Sequence, residues 1–253
     1  MFLRVATMAA LLFAPMYAQA PAKKTASPVV LPDAREIINR HVKAIGGRAA
    51  VLAVKSMHGT GTLLVPSNGM TGTIEVFGAA PNLQVVKIIV GGMGEIADGF
   101  DGTHGWSMSA ITGPMLKVGK ELDQAKLDAD FYSELRDPQT YPTVKTLEKV
   151  TFDGRPCYKV SLTRIDASND IDYYDVTTGL RAGSENTRET PMGTITQTSV
   201  ESEYKKFGTL MQPTVLTQKA NGVEQKITLT AVEYDSVDHA VFQPPAPIKA
   251  LLK

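Results

Sequence analysis

The chain has 253 residues, 26 basic and 26 acidic side chains, and a formal net charge of zero. That balance offers no basic face to nucleic-acid phosphates and no strong attraction to an anionic membrane surface. Cys157 is the only cysteine, so an internal disulfide is excluded and stability rests on packing.

Residues 1–22 read as a secretory signal peptide. Arg4 lies near the start, an apolar run extends from Val5 to Met16, and small residues lead to Ala22. The run is about a dozen residues, whereas a bilayer span takes roughly 20. No later segment is apolar for that long, so a chain that does not span a membrane is expected. The leader points to the periplasm, where ATP and NAD(P) chemistry is not expected, and no cofactor is implied. Cleavage is expected after Ala22, at Ala20-Pro21-Ala22. Cleavage after Ala20 also fits A-x-A but would leave Pro21 as the new terminus. No cysteine lies nearby, so a lipid-modified cysteine cannot form there. Loss of Arg4 leaves 25 basic against 26 acidic residues.

Residues 23–31 form a short, Pro-interrupted tether, and residues 32–253 read as a single domain. A mature length of about 230 residues suits one β-rich unit. Asp33 after Pro32 is a good N-cap, with Glu36 three residues on completing a capping box. Ile37, Ile38, His41, Val42 and Ile45 share one helical stripe. Gly46 and Gly47 end that helix, and a short helical turn is expected over Arg48–Val54.

From Ser56 the period becomes 2. Thr73-Ile74-Glu75-Val76 alternates, as does Lys226–Ala231, and Tyr158, Val160 and Leu162 share a face. One-sided alternation indicates an antiparallel sheet. Turn signals recur at Pro66–Gly69, Ala80–Asn82, Asp101-Gly102, Asp153-Gly154, Thr178-Gly179 and Asn221-Gly222. Asp-Gly and Asn-Gly suit type I′ hairpins, which need positive φ at both central residues. The spacing predicts ten or eleven strands in meander order. Glu121–Leu135 breaks the pattern and reads as a helix, expected to dock across the open face of the sheet.

Motifs for chemistry are sparse. His41, His58, His104 and His239 show no paired-ligand spacing. No serine sits in G-x-S-x-G. The glycines at 91–94 and 99–102 lack the Lys-Ser/Thr helix of a phosphate loop and read as turn positions. Asp170, Asp172 and Asp175 are interleaved with Ile171, Tyr173 and Tyr174 and read as a solvated strand face rather than a calcium loop. Asp128 and Asp130 read as a solvent-facing helix edge, and Cys157 as a buried small hydrophobe. The stretch from Met93 to Met115 is apolar and Met-rich, which fits either ordinary core or the lining of an adaptable pocket.

Several segments resemble the outer-membrane lipoprotein-sorting (LolA/LolB-like) superfamily. They are the leader, the helix ending in Ile45-Gly46-Gly47, the long meander and the inserted helix. Gly99–Trp106 is similar to the "(F)DG…W" hairpin of divergent members. Tyr173–Leu180 is similar to their "D..TGL" hairpin, and Val241–Pro245 to their "F..P" ending. The resemblance implies an α+β fold: a half-open antiparallel β-barrel of about eleven strands, covered by an N-terminal helix and an inserted mid-chain helix. It also implies an apolar cavity for lipid or lipoprotein acyl chains and no enzymatic activity. Met93, Phe100, Trp106, Met108 and Met115 would line that cavity, with Leu127 and Phe131 on a lid helix. No lipid-release arginine maps onto the chain. The alternatives are an envelope sensor or adaptor that binds another protein, and a hydrolase of unfamiliar type built around His104 or His58.

Overall fold

A computed structural model describes residues 30–190 and 193–252. The leader and residues 23–29 of the tether lie outside the described residues. The first helix, α1 (Ala34–Ala44), begins where the sequence places it, with the Asp33 carboxylate accepting from the Arg35 and Glu36 N–H groups. Its apolar stripe is buried. Gly46 and Gly47 have positive φ, and the Gly47 N–H returns to the Val42 carbonyl, which closes the helix. A six-residue helix, α2 (Arg48–Ala53), follows.

Six strands come next: β1 (Ser56–Val65), β2 (Met70–Ala79), β3 (Leu83–Val90), β4 (Gly94–Phe100), β5 (Gly105–Ser109) and β6 (Gly113–Leu116). Helix α3 (Lys120–Asp128) and a 3-10 turn (Ser133–Leu135) separate them from β7 (Thr143–Phe152), β8 (Arg155–Thr163), β9 (Asn169–Asp175) and β10 (Arg181–Thr190). The chain continues through β11 (Gly193–Phe207), β12 (Leu210–Ala220) and β13 (Val223–Tyr234), and a short helix, α4 (Ala246–Lys249), lies near its end.

All the strands form one antiparallel sheet in the order β6-β5-β4-β3-β2-β1-β13-β12-β11-β10-β9-β8-β7. Two meanders are therefore joined where β1 pairs with β13, and β6 and β7 are left as unpaired edges. The result is the expected open, mostly antiparallel α+β fold, with thirteen strands rather than about eleven. The type I′ expectation holds at Asp153-Gly154, with φ of +48° and +75°, and at Asn221-Gly222, with +50° and +76°; at Asp101-Gly102 and Asn68-Gly69 only the glycine has positive φ, and the Asp101 carboxylate instead accepts the Thr103 and His104 N–H groups.

The mid-chain helix is shorter than its sequence pattern. It stops at Asp128, with Ala129 as C-cap. The Asp130 carboxylate accepts the Tyr132 N–H at 3.0 Å, and the Phe131 N–H bonds to the Pro81 carbonyl at 3.0 Å. Both bonds compete with continued helix. As expected, α3 lies across the opening, touching β4 and β5 of one meander and β10 of the other.

The main core packs α1 onto Val160, Leu162, Tyr174 and Leu210. A second core packs Phe242 and Ile248 from the C-terminal segment onto Ala79, Val85, Ala97 and Trp106. Cys157 is buried, as its composition context suggested, beside Tyr173 and Ala182.

Candidate functional site

Beneath α1 and residues 129–137 the apolar core of the sheet is interrupted by buried acids. Asp170 and Asp172 are buried, which overturns their reading as a solvated face. The alternation itself is right: both share a face with Tyr174. Arginines reach it from three places: Arg136 from the connection after α3, Arg164 from just past β8 and Arg181 from the start of β10. Arg164 Nε donates to Asp170 Oδ2 at 2.6 Å, and Arg164 Nη1 donates to Asp128 Oδ1 at 2.9 Å. Arg136 Nε and the Tyr174 hydroxyl both donate to Asp172 Oδ2, at 2.9 and 2.8 Å. Arg181 Nε donates to Glu201 Oε1 at 2.9 Å, and Arg181 Nη2 to Glu134 Oε1 at 2.8 Å. Asp175 is buried differently, accepting the Thr177 and Thr178 N–H groups of its own turn. Asp128 is likewise an ion-pair partner rather than a free helix edge.

His41 joins this network from α1 and is 1% exposed. The Arg181 N–H donates to Nδ1 at 3.1 Å, so Nδ1 carries no proton. Nε2 then carries the ring proton and donates to Glu134 Oε2 at 3.0 Å. The histidine is a neutral bridge between the sheet and the segment after α3.

The charges hold one another. Burial alone would raise the Glu134 carboxyl, but Arg181 and the bond from His41 keep it well below its ordinary value. Burial also opposes the Asp172 carboxylate, yet Arg136 and Arg181 hold its pKa below the usual range. Tyr174 is pushed well up by burial and by the neighbouring Asp172 carboxylate.

Next to the network lies a cavity of about 200 Å³. Its apolar walls include Val51, Val54, Met57, Val76, Leu210 and Phe131, and residues 128–134 form its cover. A second cavity of about 190 Å³ shares Ile45, Glu134, Met211 and Gln212 with it, and reaches His41, Arg181 and Glu201.

Of the seven residues expected to line a pocket, Phe131 lines the first cavity and the other six do not. Phe131 sits just past the end of α3, and its ring is 5.3 Å from that of Tyr132. Trp106 and Met108 pack in the C-terminal core, and Phe100 is buried at the end of β4. Leu127 is half-buried on α3. Met93, in the β3–β4 turn, and Met115, on β6, are exposed. The cavity walls come from α2 and β1–β3 near one end of the chain and from β12 and β13 near the other. Their alternation marks inward positions one strand at a time, and no local motif announces their convergence.

Three histidines lie beside carboxylates. Besides His41, His58 Nε2 is 3.3 Å from Glu75 and His104 Nδ1 is 3.2 Å from Asp101. His58 also stacks on Phe77, with ring centroids 4.3 Å apart. Among the described residues no serine, threonine or cysteine side chain hydrogen-bonds any of these rings, so the acid–histidine pairs lack the nucleophile that a triad requires. No group of three His, Cys, Asp or Glu residues there could hold a metal ion, and no described helix is long and apolar enough to cross a membrane.

No protein-family model matches the chain, and no curated protein matches it in sequence. Solved structures do match. A LolA superfamily protein from Nitrosomonas europaea is similar at a TM-score of 0.55 and 13% identity, covering 85% of this chain and 99% of that one. A DUF1329 family protein from Desulfovibrio piger matches at 0.56 and 11%, covering 84% and 98%. A domain provisionally ascribed to outer membrane lipoprotein sorting, from Vibrio parahaemolyticus, matches at 0.53 and 10%, covering 87% and 97%. The likeness is one of fold: this chain has the LolA-like architecture, in a widely diverged sequence.

Proposed function

We propose that the protein is a non-enzymatic periplasmic binding protein that holds an apolar chain of a lipid or lipoprotein in the cavity beneath residues 128–134. The cavity, with walls drawn from α2, β1, β2, β3, β12 and β13, is the observation that carries this reading. Each methylene buried there contributes roughly 0.8 kcal/mol, so a single acyl chain gains useful affinity without any polar chemistry. The cavity is smaller than the roughly 300–1,000 Å³ of drug-sized ligand sites, so it accommodates one chain rather than several. The LolA-like fold is consistent with such a carrier.

The test is saturable uptake of an uncharged, environment-sensitive apolar dye and its displacement by decanol. One dye should bind per chain, and Val76→Trp, which fills the cavity, should abolish uptake while circular dichroism stays native. Uptake unchanged by that substitution would contradict the reading.

A second reading, an adaptor for an envelope protein, is favoured by a different observation. Residues 56–74 and 102–116 contain no Asp, Glu, Lys or Arg. Adjacent hairpins in this part of the sheet leave Ile89 and Ile111 exposed, Ile111 by 76%. Apolar surface of this kind suits a protein contact. Crosslinking that recovers one stoichiometric protein and no lipid would favour it.

A further inference from the structure

The charged residues around the first cavity are all of one sign. Its lining contains Asp128, Asp130 and Glu134 and no lysine or arginine. All three acids stand on the segment that covers the apolar walls. Two are engaged by arginines from outside the lining: Arg164 with Asp128 at 2.9 Å and Arg181 with Glu134 at 2.8 Å.

Asp130 differs. Among the described residues its side chain has no ion-pair partner; Oδ1 accepts the Tyr132 backbone N–H at 3.0 Å. Oδ2 accepts no hydrogen bond from the described residues. Burial, with Asp137 adding to it, raises the Asp130 carboxyl above its ordinary value, although the Tyr132 N–H, Arg136 and Arg164 pull the other way. A half-buried carboxylate next to an apolar cavity attracts a cation and repels an anion, more strongly than it would in water.

We infer that the cavity selects a single-chain amphiphile with a cationic, amine-type head group, whose nitrogen donates to Asp130 while its chain lies against Val76, Met57 and Leu210. This rests on the apolar-chain reading above and narrows it. An anionic amphiphile such as a fatty acid would set its head group against the Asp130 carboxylate, the one lining acid that has no ion-pair partner among the described residues. An alcohol head is neither attracted nor repelled and sets the baseline for the chain alone.

The experiment is calorimetric titration of the intact protein with decylamine, decanol and decanoate, each below its micelle concentration. The chain is constant and only the head changes. Decylamine should bind at least tenfold more tightly than decanol, and decanoate at least tenfold more weakly. Asp130→Asn keeps the acceptor for the Tyr132 N–H but removes the charge. It should bring decylamine close to decanol, read as the ratio of the two affinities in the same variant. Decanoate binding as tightly as decylamine would overturn the inference and leave the cavity reading intact. So would an Asp130→Asn variant that kept the amine preference. Binding of none of the three would overturn both.

Discussion

Arg136 Nε donates to Asp172 Oδ2 at 2.9 Å, and the two side chains are 10% and 1% exposed. Arg136 comes from the connection after α3, and Asp172 from the centre of β9. The pair therefore ties the inserted segment to the sheet. Asp172 Oδ1 is buried with no partner, so the whole burden of the charge falls on Oδ2. Removing one member leaves the other charged and buried. Asp172→Ala should cost about 3–5 kcal/mol, a fall in melting temperature of roughly 6–20 °C for a chain of this size. Differential scanning calorimetry measures it, and a loss within 1 °C would show that the pair is not needed.

The same acids set the pH response. Glu134 and Asp172 both have folded pKa values below their ordinary ones. Such groups stabilise the fold fully above the unfolded value, near pH 4, and lose that contribution as pH falls through the folded value. The melting temperature should thus stay level from pH 7 to about 5 and drop below about 4. Because α1 is tied to Glu134 through His41, the covering segment should loosen first. Hydrogen exchange at pH 4 should rise earlier in residues 129–137 than in β11 and β12.

Glu134 also latches the cover at neutral pH. Glu134→Gln keeps the side chain's shape but weakens its hold on Arg181 Nη2 and the His41 ring. Dye uptake by the cavity should become several-fold faster, with little change in the amount bound at equilibrium. Stopped-flow fluorescence separates the two, and an unchanged rate would show that residues 128–134 do not gate the cavity.

Gly99 and Trp106 face each other across β4 and β5. A Cβ on Gly99 would lie 2.5 Å from the indole ring, so the tryptophan packs directly against the glycine backbone. Gly99→Ala should cost about 1–3 kcal/mol through overpacking and shift the emission of the only tryptophan. Unchanged stability and emission would mean that the ring moves aside freely.

Cys157 offers a simple check on the third core. The thiol is fully buried, and burial pushes its pKa up, with Asp175 adding to the effect. It should resist a thiol reagent in the native state and react at once in denaturant. Rapid native labelling would contradict the packing of Phe152 and Tyr173 around it.

Local signals in the sequence were faithful where the physics is local. The Asp33 cap, the Ile37–Val42 stripe, the glycines after α1 and the type I′ turns at Asp153-Gly154 and Asn221-Gly222 each depend on a few adjacent residues, and each appears in place. The open antiparallel architecture follows from the alternation and those turns. The Asp170–Asp172 face was misread because a period of 2 reports which residues share a face but not what covers it. Arg136 in the connection after α3, Arg164 just past β8 and Arg181 at the start of β10 lie apart along the chain and meet these acids only in the fold. The end of α3 was missed because Asp130 and Phe131 leave the helix for a local turn and for Pro81 on another hairpin. By composition the Met93–Met115 stretch fitted either ordinary core or a pocket lining. Much of it packs against the C-terminal segment or faces solvent, while the cavity formed elsewhere, from residues unremarkable one by one.

The central claim is that the space beneath residues 128–134 holds one apolar chain. Native mass spectrometry of the protein purified under gentle conditions from its own cell envelope tests it most directly. A single small lipophilic adduct per chain is expected, released on collisional activation and absent from the Val76→Trp variant. A wild-type spectrum of bare protein that stays bare after incubation with decyl-chain ligands would contradict it.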